Sequence, residues 1–310
     1  MRVFLAGATG VIGRRLVPML LADGHQVTGM TRSREKLEQL RASGAEPVLA
    51  DALDAAAVHD AVAQARPEAV IHQLTALPSR IDPRKIERDF ALNDRLRDEG
   101  TRILVGAAQA AGATRILAQS IAFSYAPGPP GAVHREQDPL LKDPPKSFKR
   151  SAEAMQALER TVLGAGGMVL RYGYFYGPGS AMSRSGSIGQ DLARRRLPIV
   201  GRGQGVWSLI HVDDAARATV AALTRGQSGP YNIVDDEPAA VAQWLPALAD
   251  VLGAPRPLRV PVMIARPLAG AYGVASMTRA QGASNELAKR ELGWQPEYPS
   301  WREGFRTALD

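Results

Sequence analysis

The chain has 310 residues, 45% of them hydrophobic and 22% charged, enough for one large domain or one and a half around a sizeable core. Cysteine is absent, which excludes disulfides and thiolate metal sites and fits a reducing cytoplasm. Lys and Arg number 38 against 31 Asp and Glu, a net charge of +7 and a pI near 9.9, yet the densest basic run is only Arg194-Arg195-Arg196 and no nucleic-acid motif accompanies it. An anionic small molecule is therefore the expected partner, not nucleic acid.

The opening MRVFLAG reaches glycine too soon for a secretory signal. No apolar run approaches the roughly 18 residues of a membrane span, so no membrane partner is expected. From there short apolar runs alternate with amphipathic helical stretches, the pattern of a parallel sheet covered on both faces. The first strand is expected at 2–6, followed at once by GATGVIG and a helix running to Leu21. Gly7, Gly10 and Gly13 then stand where a tight turn, a close approach of backbone amides to a pyrophosphate, and close helix–strand contact are needed, with the helix N-terminus facing the anion. Thr9, Val11 and Ile12 complete this cofactor loop.

The second strand, 25–30, ends in GMTRSREK, where a ribose-gripping carboxylate would stand in an NAD site. Thr31, Arg32 and Ser33 place a cation between hydroxyls instead, which suits a ribose 2′-phosphate and favours NADP over NAD; Arg14 and Arg15 are further phosphate neighbours. The alternative is that Arg32 only opens the next helix's solvated face. A third strand at 46–50 runs into Asp51 and Ala52, with Asp51 an acceptor for the adenine amino group or a helix N-cap. A fourth strand at 68–73 leads to Leu74 and Thr75, both taken as cofactor-binding. A helix is expected over 83–112, stopped by Gly112, then strands at 114–119 and 167–171, with Pro/Gly-rich loops at 125–133 and 143–147. His72 is expected in sheet contacts, and Asp213 and Asp214 of LIHVDD as helix caps. No metal-ligand spacing occurs in the chain.

Several ordered segments carry a resemblance: GATGVIG (7–13), AVIHQLTA (69–76), EGTRILVGAAQAAG (99–112), AQSIAFSY (118–125), LRYGYFYGPG (170–179), SLIHVDDAARATVAAL (208–223), YNIVDDEP (231–238) and AKRELGWQPEYPSWREGF (288–305). In these the chain resembles the extended short-chain dehydrogenase/reductases, in particular their NAD-dependent epimerase/dehydratase branch. The resemblance implies an α/β Rossmann-type doubly wound parallel sheet with a smaller C-terminal substrate-capping part. Residues 1–176 plus 209–236 would bind the dinucleotide and 177–208 plus 237–310 would form the cap. It also places the 170–179 segment, with Tyr172, beside the nicotinamide.

The family's chemistry uses a Tyr with a Lys four residues later on one helix face, the Tyr moving a proton and the Lys lowering its pKa. In KRSAEAMQALE (149–159) the resemblance puts Ser151 at the Tyr position and Met155 at the Lys position, so both groups are missing, and no tyrosine of the chain has a Lys four residues on. Met155, Leu158 and Val162 read as helix packing. The candidates left to supply the proton are Ser120 or Ser124, Tyr125, Tyr174 or Tyr176, and ordered water. The expectation is an NADP-dependent oxidoreductase acting on a small carbonyl, alcohol or activated double bond. Its alternatives are a non-redox isomerase, cyclase or lyase with the nucleotide as scaffold, or an NADP-sensing binding protein. The apolar stretch at 256–278 leaves open a hydrophobic ligand or a homodimer contact.

Overall fold

The computed structural model describes residues 1–82, 85–129 and 131–310. The first two positions of the helix expected over 83–112, and Pro130 of the 125–133 loop, lie outside the described residues.

Seven parallel strands form the central sheet: β1 (Arg2–Ala6), β2 (Gln26–Thr31), β3 (Glu46–Leu49), β4 (Ala69–His72), β5 (Arg115–Ile121), β6 (Met168–Tyr172) and β7 (Gly229–Ile233). Their spatial order is β7-β6-β5-β4-β1-β2-β3, so the chain winds outward one way from β1 and then returns past it to build the other half. The result is an α/β Rossmann-type doubly wound sheet. Its central strands are continuously apolar because both faces are covered. On one face Val3 and Leu5 pack with Leu16 and Val17 of α1 (Gly13–Ala22) and with Ala215 and Ala218 of the later helix Val212–Thr224. On the other, Phe4 and Ala6 meet Val58 and Val62 of α2 (Ala55–Ala65), Leu104 and Val105 of α3 (Thr101–Ala110), and Leu158 and Val162 of α4 (Lys149–Gly164).

Two elements differ from expectation. The helix expected over 83–112 is broken into Ile86–Asp89, Ala91–Arg95, a π-turn at Leu96–Gly100 and then α3. Its end is as expected: Gly112 adopts φ +75°, and Ala113 N–H donates to Ala108 O. Strand β7 was not expected at all. Gly229 and Pro230 open it, leaving a β-rich run of only three residues, and as an edge strand it tolerates the proline.

The smaller part has its own core, in which Tyr176, Leu192 and Leu209 pack with Trp244, Leu245 and Leu248 of the helix Val241–Leu252 and with Trp301 and Phe305 of Trp301–Thr307. A parallel pair, Tyr174–Tyr176 beside Leu209–His211, joins it to the sheet. The C-terminal stretch is not all cap: Ala288, Leu292 and Trp294 pack into the main core beside Leu223 and Tyr231. Among the described residues no helix is long and apolar enough to cross a membrane, and no cluster of His, Asp and Glu offers a metal site.

Candidate functional site: a dinucleotide cleft and a rebuilt proton site

A cleft of about 230 Å³ opens at the C-terminal ends of β1, β2, β3 and β4. From the first loop it is lined by Gly7, Thr9 and Gly10, and from the end of β2 by Thr31, Arg32 and Ser33. Asp51, Ala52, Leu74 and Thr75 complete the expected set. Gly7 has φ +91°, and a Cβ there would lie 2.5 Å from Gln73 O, so only glycine fits. A Cβ on Gly13 would collide with Gly7 O, which shows its task to be contact with the loop's own backbone. Gly10 is exposed, and its N–H closes the turn on Gly7 O at 3.0 Å. Val11 and Ile12 lead into α1 behind the lining, with Ile12 buried.

The second strand's end carries the charge. Arg32 is exposed and makes no hydrogen bond or ion pair among the described residues, while Thr31 Oγ1 accepts from Ser33 N–H at 3.2 Å and sets the turn. Lys36, four residues on, lines the same cleft and adds a second cation that the sequence reading passed over. Asp51 accepts from Leu53 N–H at 3.0 Å, a turn-capping role, and lines the cleft as well. Met30, Gln73 and Leu96 were also missed; Gln73 Oε1 is buried without a donor among the described residues. His72 is buried in β4, its Nδ1 accepting from Leu74 N–H at 3.2 Å and its Nε2 meeting Thr101 Oγ1 at 2.9 Å. Burial pushes its pKa down to about 4, so a neutral ring braces the cleft wall. Glycine cradle, free cations and orphaned Gln73 oxygen together fit an adenine dinucleotide.

Other expectations need correction. Arg15 is not free for a phosphate: it pairs with Asp213 at 2.5 Å and donates to Pro178 O at 2.6 Å, tying α1 to the start of the cap. Arg14 is exposed, beside Gly179. Tyr172 lies behind the cleft, only 1% exposed, with its hydroxyl held by Gln73 Nε2 at 2.9 Å and Thr219 Oγ1 at 2.6 Å. It positions Gln73 and is not among the residues that line this cleft. The cap of the helix Val212–Thr224 is His211, whose Nδ1 accepts from Asp213 N–H; Asp214 instead accepts from Glu297 and Tyr298 N–H and is fully buried.

Ser120 and Tyr125 belong to a buried structural network. Ser120 Oγ donates to Glu159 Oε1 at 2.7 Å, and Glu159 takes both Arg171 Nε at 3.0 Å and Nη2 at 2.6 Å. Arg171 Nη1 also donates to the Tyr125 hydroxyl at 2.9 Å, which in turn donates to Asn232 Oδ1 at 2.6 Å. Tyr125 is 8% exposed, and burial raises its pKa to about 12. Its hydroxyl, out of solvent and held between Arg171 on β6 and Asn232 on β7, ties the loop after β5 to both strands.

The positions assigned by resemblance to Tyr and Lys are both occupied by committed side chains. Ser151 Oγ donates to Asp94 Oδ2 at 2.9 Å. Met155 Sδ receives Arg97 Nη1 at 3.5 Å and Ser124 Oγ at 3.6 Å. Tyr174 stands across this space, its ring stacked between Phe123 (4.0 Å) and Trp207 (3.8 Å), its hydroxyl 3.4 Å from Ser276 Oγ. Burial drives its pKa well up, so it holds its proton firmly. Tyr176 is fully buried in the cap core.

Residues 3–234 match the model of the NAD dependent epimerase/dehydratase family. A 3-diazoavenalumate denitrifying reductase of a Streptomyces species is 47% identical over 98% of this chain and 99% of its own. A UDP-glucose 4-epimerase of Mycolicibacterium smegmatis is 27% identical, over 96% of this chain and 94% of its own. Among solved structures, UDP-glucose 4-epimerase of Thermotoga maritima with UDP-glucose superposes with a TM-score of 0.79 at 22% identity, over 100% of this chain and 97% of that one. The Thermus thermophilus UDP-glucose 4-epimerase complex with NAD gives 0.75 at 24%, over 100% and 98%. With its glycine loop, its sheet order and this match over most of its length, the chain belongs to the NAD dependent epimerase/dehydratase family.

Proposed function

We propose that the chain is an NADPH-dependent reductase that replaces the diazo group of a small aromatic carboxylic acid by hydrogen. What supports this reading is the pair Ser151 and Met155, at the positions the resemblance gives to the family's Tyr and Lys, in a chain 47% identical to a 3-diazoavenalumate denitrifying reductase. A reduced nicotinamide, when bound, supplies a hydride. Its electron pair would form a C–H bond at a carbon bearing a diazonium group as the C–N pair left with dinitrogen, a reduction that would consume no proton. A tuned Tyr/Lys pair, worth about 10²- to 10⁴-fold where a proton must move, contributes nothing to such a step.

The chain's own residues then have three tasks. The loop from Gly7 to Gly13 receives the diphosphate, with Arg32 and Lys36 taking the 2′-phosphate. Phe123, the end ring of the Phe123–Tyr174–Trp207 stack, gives an aryl ring a face to lie against. The buried surroundings of Met155 keep out water, which would otherwise attack the diazonium carbon. Burial makes poor acids of Tyr174 and Tyr272, which counts against a reduction that draws its proton from either.

Purified protein given NADPH and 3-diazoavenalumate should oxidise the coenzyme, release an equal amount of dinitrogen and form the acid lacking the diazo group. Coenzyme oxidation without dinitrogen, or no turnover, contradicts the reading.

A further inference from the structure

We propose that Arg97 is the receptor for the substrate's carboxylate. This rests on the reductase reading for the identity of the substrate but on separate observations for the site.

Arg97 is only 6% exposed and forms no ion pair among the described residues. Its one side-chain hydrogen-bond partner among them is Met155 Sδ at 3.5 Å, a weak acceptor for a full charge. Two neighbouring carboxylates, Asp94 and Glu159, act on it electrostatically, but neither makes an ion pair with it among the described residues. Asp94, just before the π-turn, receives Ser151 on Oδ2, its buried Oδ1 has no hydrogen-bond partner among the described residues, and burial pushes the pKa of its carboxyl up. Glu159 is taken by Arg171. A guanidinium withdrawn from water with no carboxylate in direct contact is costly, and a ligand carboxylate would supply that contact.

Its position fits that use. Arg97 sits in the π-turn Leu96–Gly100, a geometry that recurs at functional sites, and Leu96 beside it lines the dinucleotide cleft. Tyr272, from the kinked cap helix Val262–Arg279, feels the Arg97 charge and stacks on Phe148 at 4.1 Å, which brings the cap against the same spot. The thioether of Met155 leaves this guanidinium undisturbed, whereas the ammonium of a lysine at that position would press like charge on it, so the loss of the family's lysine and the presence of Arg97 are mutually consistent. The planar fork of Arg97 takes a carboxylate through two parallel hydrogen bonds. Anchored there, an aromatic acid keeps its cationic diazonium end away from the guanidinium by simple repulsion.

The test uses the NADP-loaded full chain and two unreactive probes, cinnamate and cinnamamide, with binding read by calorimetry. The unmodified protein should bind the acid at least about 10-fold more tightly than the amide, the scale of one charge-assisted hydrogen bond. Arg97→Met should abolish that preference and Arg97→Lys should keep part of it. Equal affinity for acid and amide in the unmodified protein, or an undiminished preference in Arg97→Met, overturns the proposal. Should Arg97→Met fail to fold, the acid–amide comparison in the unmodified protein and in Arg97→Lys still decides it. Acid-selective binding without dinitrogen release from 3-diazoavenalumate sinks the reductase reading and upholds the receptor. Dinitrogen release at equal kcat/KM from aryl diazonium salts with and without a carboxylate sinks the receptor alone.

Discussion

Tyr125 and Arg32 are both polar residues at strand ends, and the structure gives them opposite fates. Tyr125 is clamped between Arg171 and Asn232, so removing its hydroxyl strips partners from two buried groups and leaves the cleft intact. Tyr125→Phe should cost about 1–3 kcal/mol in a denaturant titration, with turnover retained. A fall in turnover at unchanged stability would restore it as a proton donor. Arg32 has no protein partner among the described residues and faces the cleft, which makes it available to a ligand. Arg32→Ala should raise the KM for NADPH about 10- to 100-fold and leave that for NADH unchanged, Lys36 softening the loss. Comparable losses for both coenzymes would contradict the 2′-phosphate role. Sequence alone exposes Arg32 because the motif before it fixes where a ribose must lie; it cannot separate Tyr125 from Tyr174, whose surroundings come from distant segments.

Helix α4 carries the same lesson at the level of an element. Met155, Leu158 and Val162 follow helical spacing, and all three are buried as that periodicity predicts. Ser151 and Glu159 share the buried face, yet a pattern of apolar residues counts them as solvent-facing. What holds Glu159 there is Arg171 on β6, a residue twelve positions away whose partner no local pattern reveals. Arg171→Met should leave that carboxylate buried and unpaired, at a cost of about 3–5 kcal/mol by chemical denaturation. A loss under about 1 kcal/mol would mean that water reaches and solvates Glu159. The π-turn at Leu96–Gly100 was equally hidden, since one extra residue per turn leaves the helical signal of EGTRILVGAAQAAG undisturbed.

Across the whole molecule, the cofactor half was the legible half. Strand, glycine loop and helix follow one another within the first 22 residues, and sheet order follows from alternating elements. The proposed substrate end was not, because Arg97, Met155 and Tyr272 come together from three separated segments. The buried sheet also sets an acid limit. His72 binds its proton only near pH 4 in the fold, against an ordinary value of 6.5 in the unfolded chain. Below about pH 6.5 the unfolded state therefore takes up a proton that the folded state refuses, and stability falls by up to about 3 kcal/mol by pH 4. His72→Asn should lose that share of the acid sensitivity in denaturation curves taken across this range. Identical pH profiles for the two proteins would place the acid limit elsewhere.

The central claim is that carbon receives hydrogen from the coenzyme and none from a protein proton donor. Turnover of 3-diazoavenalumate with NADPH carrying deuterium at nicotinamide C4, on the face the enzyme uses, should put the label on the carbon that bore the diazo group, while turnover in heavy water with unlabelled coenzyme leaves that carbon unlabelled. Deuterium entering from the solvent would contradict it.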